Sequence, residues 1–408
     1  MASTRAGEDD DIWYRRLVST RGDPVSSVGE PTWLGRTGWF RTVDGWKPVT
    51  DLLGEPRMHA DFLSLFDGLG VSSGLVRDVV ASSLLSMNGA DHKRFRSVVA
   101  PSFTPKSVDA VRPTARREAH RCIDRFASAG ECEFVDAFAM PYVAAVTCAF
   151  LGIPPDELDT FLPYVRLVNS REPDLDRRAE NWSEGLLGLA EYGRSLLARR
   201  EHHPTGDVVS MIATSVKREE LPELVAVGLM AGLLSAGHDP TINQLGIMIE
   251  VMSAQPGLWD AVAEGQAEPA PVVEEVLRFR PTNHQVSRRV AEDLEYDGVA
   301  FAEGEHVVIR LVSANHDGCR FAKPDEFDLD ANHGSHLAFG YGAHYCLGAA
   351  LARVQLQEGL RALTGRLRCP TVDESKQKEP EGGIVGPASL SISFDQRSPQ
   401  PVSSNGSR

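Results

Sequence analysis

Six residues in one short stretch have types and spacing that could do chemistry. Within HLAFGYGAHYCLGAALAR, from His336 to Arg353, Phe339, Gly340, Gly342, His344, Cys346 and Gly348 stand at the spacing F-G-x-G-x-H-x-C-x-G. The apolar run after the cysteine reads as a helix. Its free N–H groups and dipole would favour a thiolate at Cys346 over a thiol. Backbone N–H groups near the sulfur would tune a metal bound there. The two loop glycines let the backbone take positive φ and approach a flat group. These features suit a thiolate ligand to haem iron, with His344 able to reach a haem propionate. The bland alternative is a buried structural cysteine at a loop-to-helix turn.

This pattern resembles the haem-binding loop of the cytochrome P450 family, and the rest of the chain carries further motifs in that family's order. The resemblance covers about residues 35–395. It implies a mainly α fold with a smaller β region, a helical bundle around the haem plus small sheets, as in the soluble bacterial class. It also implies haem b bound through Cys346, whose thiolate pushes electron density onto iron and favours O–O cleavage.

His92 and Arg96, in MNGADHKRFRSVVAPSF, are spaced i, i+4 and share one helix face. Two donors on one face suit a pair of carboxylates, and the resemblance implies a propionate; a solvated basic face is the alternative. Residues 282–312 alternate like strands, with Asp297-Gly298 and Glu303-Gly304 as turn signals. The resemblance assigns a propionate contact to Arg288, with Arg289 on the opposite strand face. It sets Thr282 to Gln285 beside the substrate and drops the turn Val385-Gly386-Pro387-Ala388 into the cavity.

The most apolar helix is expected over residues 221–253. Ala236 and Gly237 are small enough for a flat cofactor to lie against them. Pro240 has no N–H to bond the Ala236 carbonyl, so a kink is expected, with that carbonyl and Asp239 lining a polar notch. This resembles the family's oxygen-binding groove, whose pattern is A-G-x-[DE]-T-T. Asp239 matches the acid, but Pro240 stands where the first Thr delivers protons. Thr241 matches only the second Thr, about 100° further round the helix. Asp239, Pro240 and Thr241 are thus the candidate catalytic positions, and proton delivery is expected through water, substrate hydroxyls or Asp239.

Glu275 and Arg278 form an E-x-x-R, which the resemblance makes a structural, buried ion pair. The arginine that completes it in the family, after F-D-x-x, is replaced by Ala331. His316 or Arg320 is expected to rebuild the network.

The elements that must position these groups read as follows. Residues 32–50 suggest a small hairpin or two, and 59–85 a mobile loop with a short helix. Residues 106–152 and 156–201 are mostly helical, broken at Gly152-Ile-Pro154-Pro155. Residues 163–190 are either lid helices, as the resemblance implies, or an ordinary surface hairpin. One domain over residues 11–396 is expected, between a disordered start at 1–10 and a polar tail at 397–408.

The 408-residue chain has a net charge of −15, which argues against a nucleic-acid partner. Its six cysteines show no CxxC pair, as expected of free thiols in a cytoplasmic protein. The N-terminus lacks a signal-peptide pattern. The longest apolar run, of 14 residues at 224–237, is short of the roughly 20 that span a bilayer. A monomer without membrane contact is expected. The resemblance implies an oxidation of a small-molecule substrate of secondary metabolism with O2, most simply a hydroxylation, with electrons from a ferredoxin and its reductase. Pro240 raises two rivals: oxidative C–C or C–N coupling of an aromatic peptide-like or diketopiperazine substrate, and a non-enzymatic haem sensor.

Overall fold

The computed structural model describes residues 32–37, 40–170, 172, 174–329, 335–373 and 384–397. The expected disordered start lies outside these residues, as does the tail from residue 398. Arg397, which the sequence put in that tail, is bonded through its guanidinium to the Leu367 carbonyl.

Helices dominate, as the apolar periodicity requires. One core packs Met140–Leu151, Asp239–Ser253, Pro269–Phe279 and Ala349–Arg366 around Phe138, Tyr142, Leu245, Val276 and Leu360. A second core lies under Leu158–Val168, Leu175–His202 and Glu223–Ala236. The break at Gly152 is a left-handed cap at φ 89°, after which the two prolines cannot continue the helix.

The β region is small. Its largest sheet has five strands in the order Leu34–Thr37, Phe40–Val43, His306–Arg310, Gln285–Val290, Met58–Ala60. Strands Leu294–Tyr296 and Val299–Phe301 form the hairpin signalled by Asp297-Gly298, whose φ values of 52° and 76° suit a two-residue turn. The alternation in residues 285–290 resolves as expected: Arg288 is buried and Arg289 is exposed.

Three expectations change. The 32–50 stretch contains one hairpin, and its second half is a helix, Trp46–Gly54, because Val49, Leu52 and Leu53 share a buried face. Residues 59–85 carry a strand, Met58–Ala60, and two short helices, Leu63–Asp67 and Leu75–Ala81, so they are more regular than a loop. The apolar stretch 221–253 is two helices, Glu223–Ala236 and Asp239–Ser253, broken at Gly237-His238 rather than kinked. Pro240 occupies the first turn of the second helix, where its missing N–H costs nothing.

Candidate active site

Cys346 sits just before the helix Ala349–Arg366, with its N–H bonded to the Phe339 carbonyl at 2.9 Å. It retains accessible surface, yet its thiol is surrounded closely enough that burial raises its pKa. A residue that is both accessible and enclosed lines an internal space. The Gly348 N–H and the positive charges of Arg96 and Arg353 work against that rise and so favour the thiolate. Gly340 and Gly342 both take φ near 70°. The close approach at Gly342, however, is to protein: a Cβ there would stand 2.5 Å from the Leu53 carbonyl. That glycine seats the loop on the helix Trp46–Gly54.

On another side of the loop, four nitrogen-bearing side chains converge. His92, 3% exposed, stacks on His344 with ring centroids 4.2 Å apart. His92 Nε2 is buried with no hydrogen-bond partner. Arg288, 6% exposed, donates to its own neighbour's carbonyl, Ser287. Arg96 donates to the Tyr345 carbonyl at 2.5 Å. His344 Nε2 lies 3.3 Å from Asn88 Oδ1, and Asn88 in turn bonds Ala60 of the edge strand. Burial and the charges of His92, Arg288, Arg96 and His59 drive the His344 pKa down to about 3. Burial alone lowers Arg288 to about 10. Burial and neighbouring positive charge lower the pKa of both histidines, so the charge of this cationic cradle is that of Arg96 and Arg288. Its orphan donor and net positive charge fit a dianionic ligand, which is what the two propionates of a haem would supply.

At the helix break, Ala236 is exposed among part-buried neighbours, whereas Thr241 is buried at 7% exposure. Asn243 Nδ2 donates to the Asp239 carbonyl, and Thr147 Oγ1 donates to the Gly237 carbonyl. The turn at Gly386-Pro387 packs on the second helix, against Asn243 and Gly246. Thr282, expected to border the substrate, spends its polar groups on structure: its N–H on Gln244 and its hydroxyl on the Val385 carbonyl.

An accessible cysteine at a loop-to-helix turn, a cationic cradle and a broken apolar helix accord with what known proteins show. The family model for cytochrome P450 matches residues 270–392. Luteothin monooxygenase from Streptomyces thioluteus is 32% identical over 377 residues, covering 91% of this chain and 92% of its own. The chain belongs to the cytochrome P450 family. Mycinamicin IV hydroxylase/epoxidase from Micromonospora griseorubida is 31% identical over 361 residues, 87% of each chain. The crystal structure of CalO2 superposes with a TM-score of 0.82 over 96% of this chain and 97% of its own, at 24% identity, a likeness of fold. This P450 is therefore an oxidoreductase of the monooxygenase class, with haem b as cofactor and O2 and a small molecule as substrates. Among the described residues, no helix is long and apolar enough to cross a membrane.

Around this site the P450's Glu275–Arg278 pair is buried and bidentate, at 2.9 and 2.7 Å. The expected substitute partners do not join it. His316 bonds Asp325 and the Phe279 carbonyl, and Arg320 stacks on Trp46. The remaining Arg278 donors go instead to the carbonyls of Asn315, Pro324 and Glu326, and Glu275 accepts the Asp328 N–H. Among the described residues, backbone carbonyls take the donors that Arg278 does not spend on Glu275.

A second network went unread in the sequence. Arg353, seven residues after Cys346, donates twice to Glu274 and lies 4.5 Å over the Phe339 ring. His336 Nε2 lies 3.2 Å from the same carboxylate. Glu274, His336 and Arg353 thus pin both ends of the cysteine loop. Their sequence signal was the doubled acid in P-V-V-E-E-V-L-R, of which only the second was used.

Burial alone would raise the Glu274 carboxyl, but the bonds from His336 and Arg353 outweigh it and hold the pKa at about 2. A depressed carboxyl stabilises the folded state above its ordinary pKa of 4.5 and loses that contribution as pH falls toward about 2. The carboxylate is 40% exposed, so solvent screening limits its worth to about 1 kcal/mol. Glu274→Gln is expected to lower stability by about that much at neutral pH and to flatten the acid limb of the urea-midpoint profile below 4.5. An unchanged acid limb would remove Glu274 from the loop's support.

Proposed function

We propose that this P450 hydroxylates a small natural product, with Cys346 as the thiolate that would hold the haem iron and electrons from a ferredoxin-type partner. The cationic cradle beside the cysteine loop carries this reading. His344 belongs to the same loop as the sulfur, and His92 and Arg96 from the helix Gly89–Val99 and Arg288 from the strand Gln285–Val290 meet it there, as a ligand with a metal centre and an acidic edge requires. In the reading, His92, Arg96, Arg288 and His344 bind the propionates, and Phe339, Gly340, Ala236 and Gly237 border the macrocycle. Glu275 and Arg278 hold the polypeptide that leads into the loop. Haem with a thiolate ligand supplies the activation of O2.

The residues of the broken helix then govern protons. Pro240 contributes no hydroxyl, and Thr241 is buried, so the acid Asp239 is the titratable side chain left at this position. It would pass protons through ordered water to the site of oxidation. One oxygen atom enters the substrate, the other leaves as water, and the partner supplies the two electrons. The monooxygenase and hydroxylase names of the 31–32% identical relatives support oxygen insertion over a sensor role.

Pro240, which supplies no hydroxyl at the break, favours a second reading, oxidative coupling, in which the substrate gives up two hydrogens, the partner supplies two electrons, and both atoms of O2 leave as water. Turnover with a ferredoxin and its reductase against a panel of natural products, read by product mass in labelled dioxygen, separates the two. Gain of one labelled oxygen atom is expected. Loss of two hydrogens without label would replace hydroxylation by coupling. Binders that shift the haem spin state yet give no product would replace both by a sensor.

A further inference from the structure

We propose that Gln355 and Thr147 form a positioning relay from the helix that follows Cys346 to the break that carries Asp239 and Pro240. The first helix ends at Ala236, and its end leaves carbonyls without helical donors. Two groups step in: the His238 ring bonds the Leu234 carbonyl, and the Thr147 hydroxyl reaches the Gly237 carbonyl at 3.4 Å.

Thr147 lies well inside the helix Met140–Leu151 and is 2% exposed. A threonine so placed usually turns its hydroxyl back to the carbonyl four residues earlier, here Val143. Gln355 competes for that choice. Its amide Nε2 lies 3.2 Å from the Val143 carbonyl and 3.2 Å from Thr147 Oγ1. It occupies the competing acceptor and a lone pair of the hydroxyl, which directs the hydroxyl proton to Gly237. Gln355 is itself 1% exposed, nine residues beyond Cys346 in the same chain direction, and its carbonyl is fixed by the Tyr142 hydroxyl at 2.8 Å. Thr147, Gln355, Val143 and Tyr142 are all buried, so they cannot trade partners for bulk water, and they act as a unit on the part-buried Gly237 carbonyl. A displacement of the cysteine's helix is thereby transmitted to the backbone at Gly237. This inference does not depend on which substrate is oxidised.

Amide hydrogen exchange over residues 236–243 of the holoprotein tests it, with Thr147→Val, Gln355→Met and their double variant. Each single variant is expected to exchange roughly fivefold to tenfold faster there, the equivalent of one net hydrogen bond. The double variant should be no faster than either single, and Thr147→Ser should restore the native rate. The C–O stretch of the reduced carbon monoxide complex should shift in the same variants and stay native in Thr147→Ser. Thr364→Val, which removes a buried hydroxyl bonded only within its own helix, is the control for general loosening. Native exchange or a native C–O stretch in Thr147→Val or Gln355→Met, additive single effects, failure of the serine to rescue, or equal acceleration in Thr364→Val would each overturn the relay.

Discussion

Cys346→Ser holoprotein loses the thiolate-type band of the reduced carbon monoxide spectrum and all oxygenation above the level of free haem. The cause is chemical rather than structural. Serine fills the same volume, and the loop is held by the Cys346 N–H on Phe339 and by the Glu274–Arg353–His336 network, none of which needs the sulfur. What disappears is a soft ligand whose ionisation the Gly348 N–H and the Arg96 and Arg353 charges assist. Thermal melting should therefore move little while the spectrum changes completely. Cys369→Ser, at an exposed and free cysteine, should leave both untouched. Retention of the thiolate band in Cys346→Ser would assign the iron to another residue.

Arg278→Met should cost about 3–5 kcal/mol, the range for leaving one partner of a buried ion pair alone. At 1% exposure, Arg278 satisfies the Glu275 carboxylate, the Asn315 carbonyl that ends the helix Leu311–Asn315, and the Pro324 and Glu326 carbonyls of the polar meander that follows. Methionine matches its length but supplies no donor, so a buried charge and three acceptors lose their partners together. Urea midpoint and haem content per chain are the measurements. Both should fall, because the meander leads into the cysteine loop. Arg320→Met, whose side chain stacks on Trp46 outside this network, should change stability far less. Equal losses in the two variants would mean that the Glu275–Arg278 pair has no special role.

The sequence was most informative where function is set by local geometry. The spacing around Cys346, the i, i+4 placement of His92 and Arg96 on Gly89–Val99, the alternation that buries Arg288 and exposes Arg289, and the Asp297-Gly298 turn all depend on periods of two to four residues. Such periods are visible in a single chain, and these features match the structure. The break at Pro240 was also legible as a disturbance, though its form was not. A proline mid-run permits either a bent helix or a new helix start, and the choice depends on what caps the free carbonyls.

Tertiary structure alone decided the rest. Arg353 meets Glu274 across 79 residues, and Gln355 meets Thr147 across 208. The Arg278 donors find carbonyls 37 to 48 residues away. Main-chain acceptors carry no residue signature, so no side-chain pattern could have announced them, and neither His316 nor Arg320 takes the place expected of it. Gly342 shows the same limit: its type was legible, but that it faces the Leu53 carbonyl is known only once two distant segments pack. By itself the sequence determined which residues could bind and ionise. Packing determined which of them are held, because burial removes water as the competing partner and leaves each polar group only the neighbours the fold brings to it.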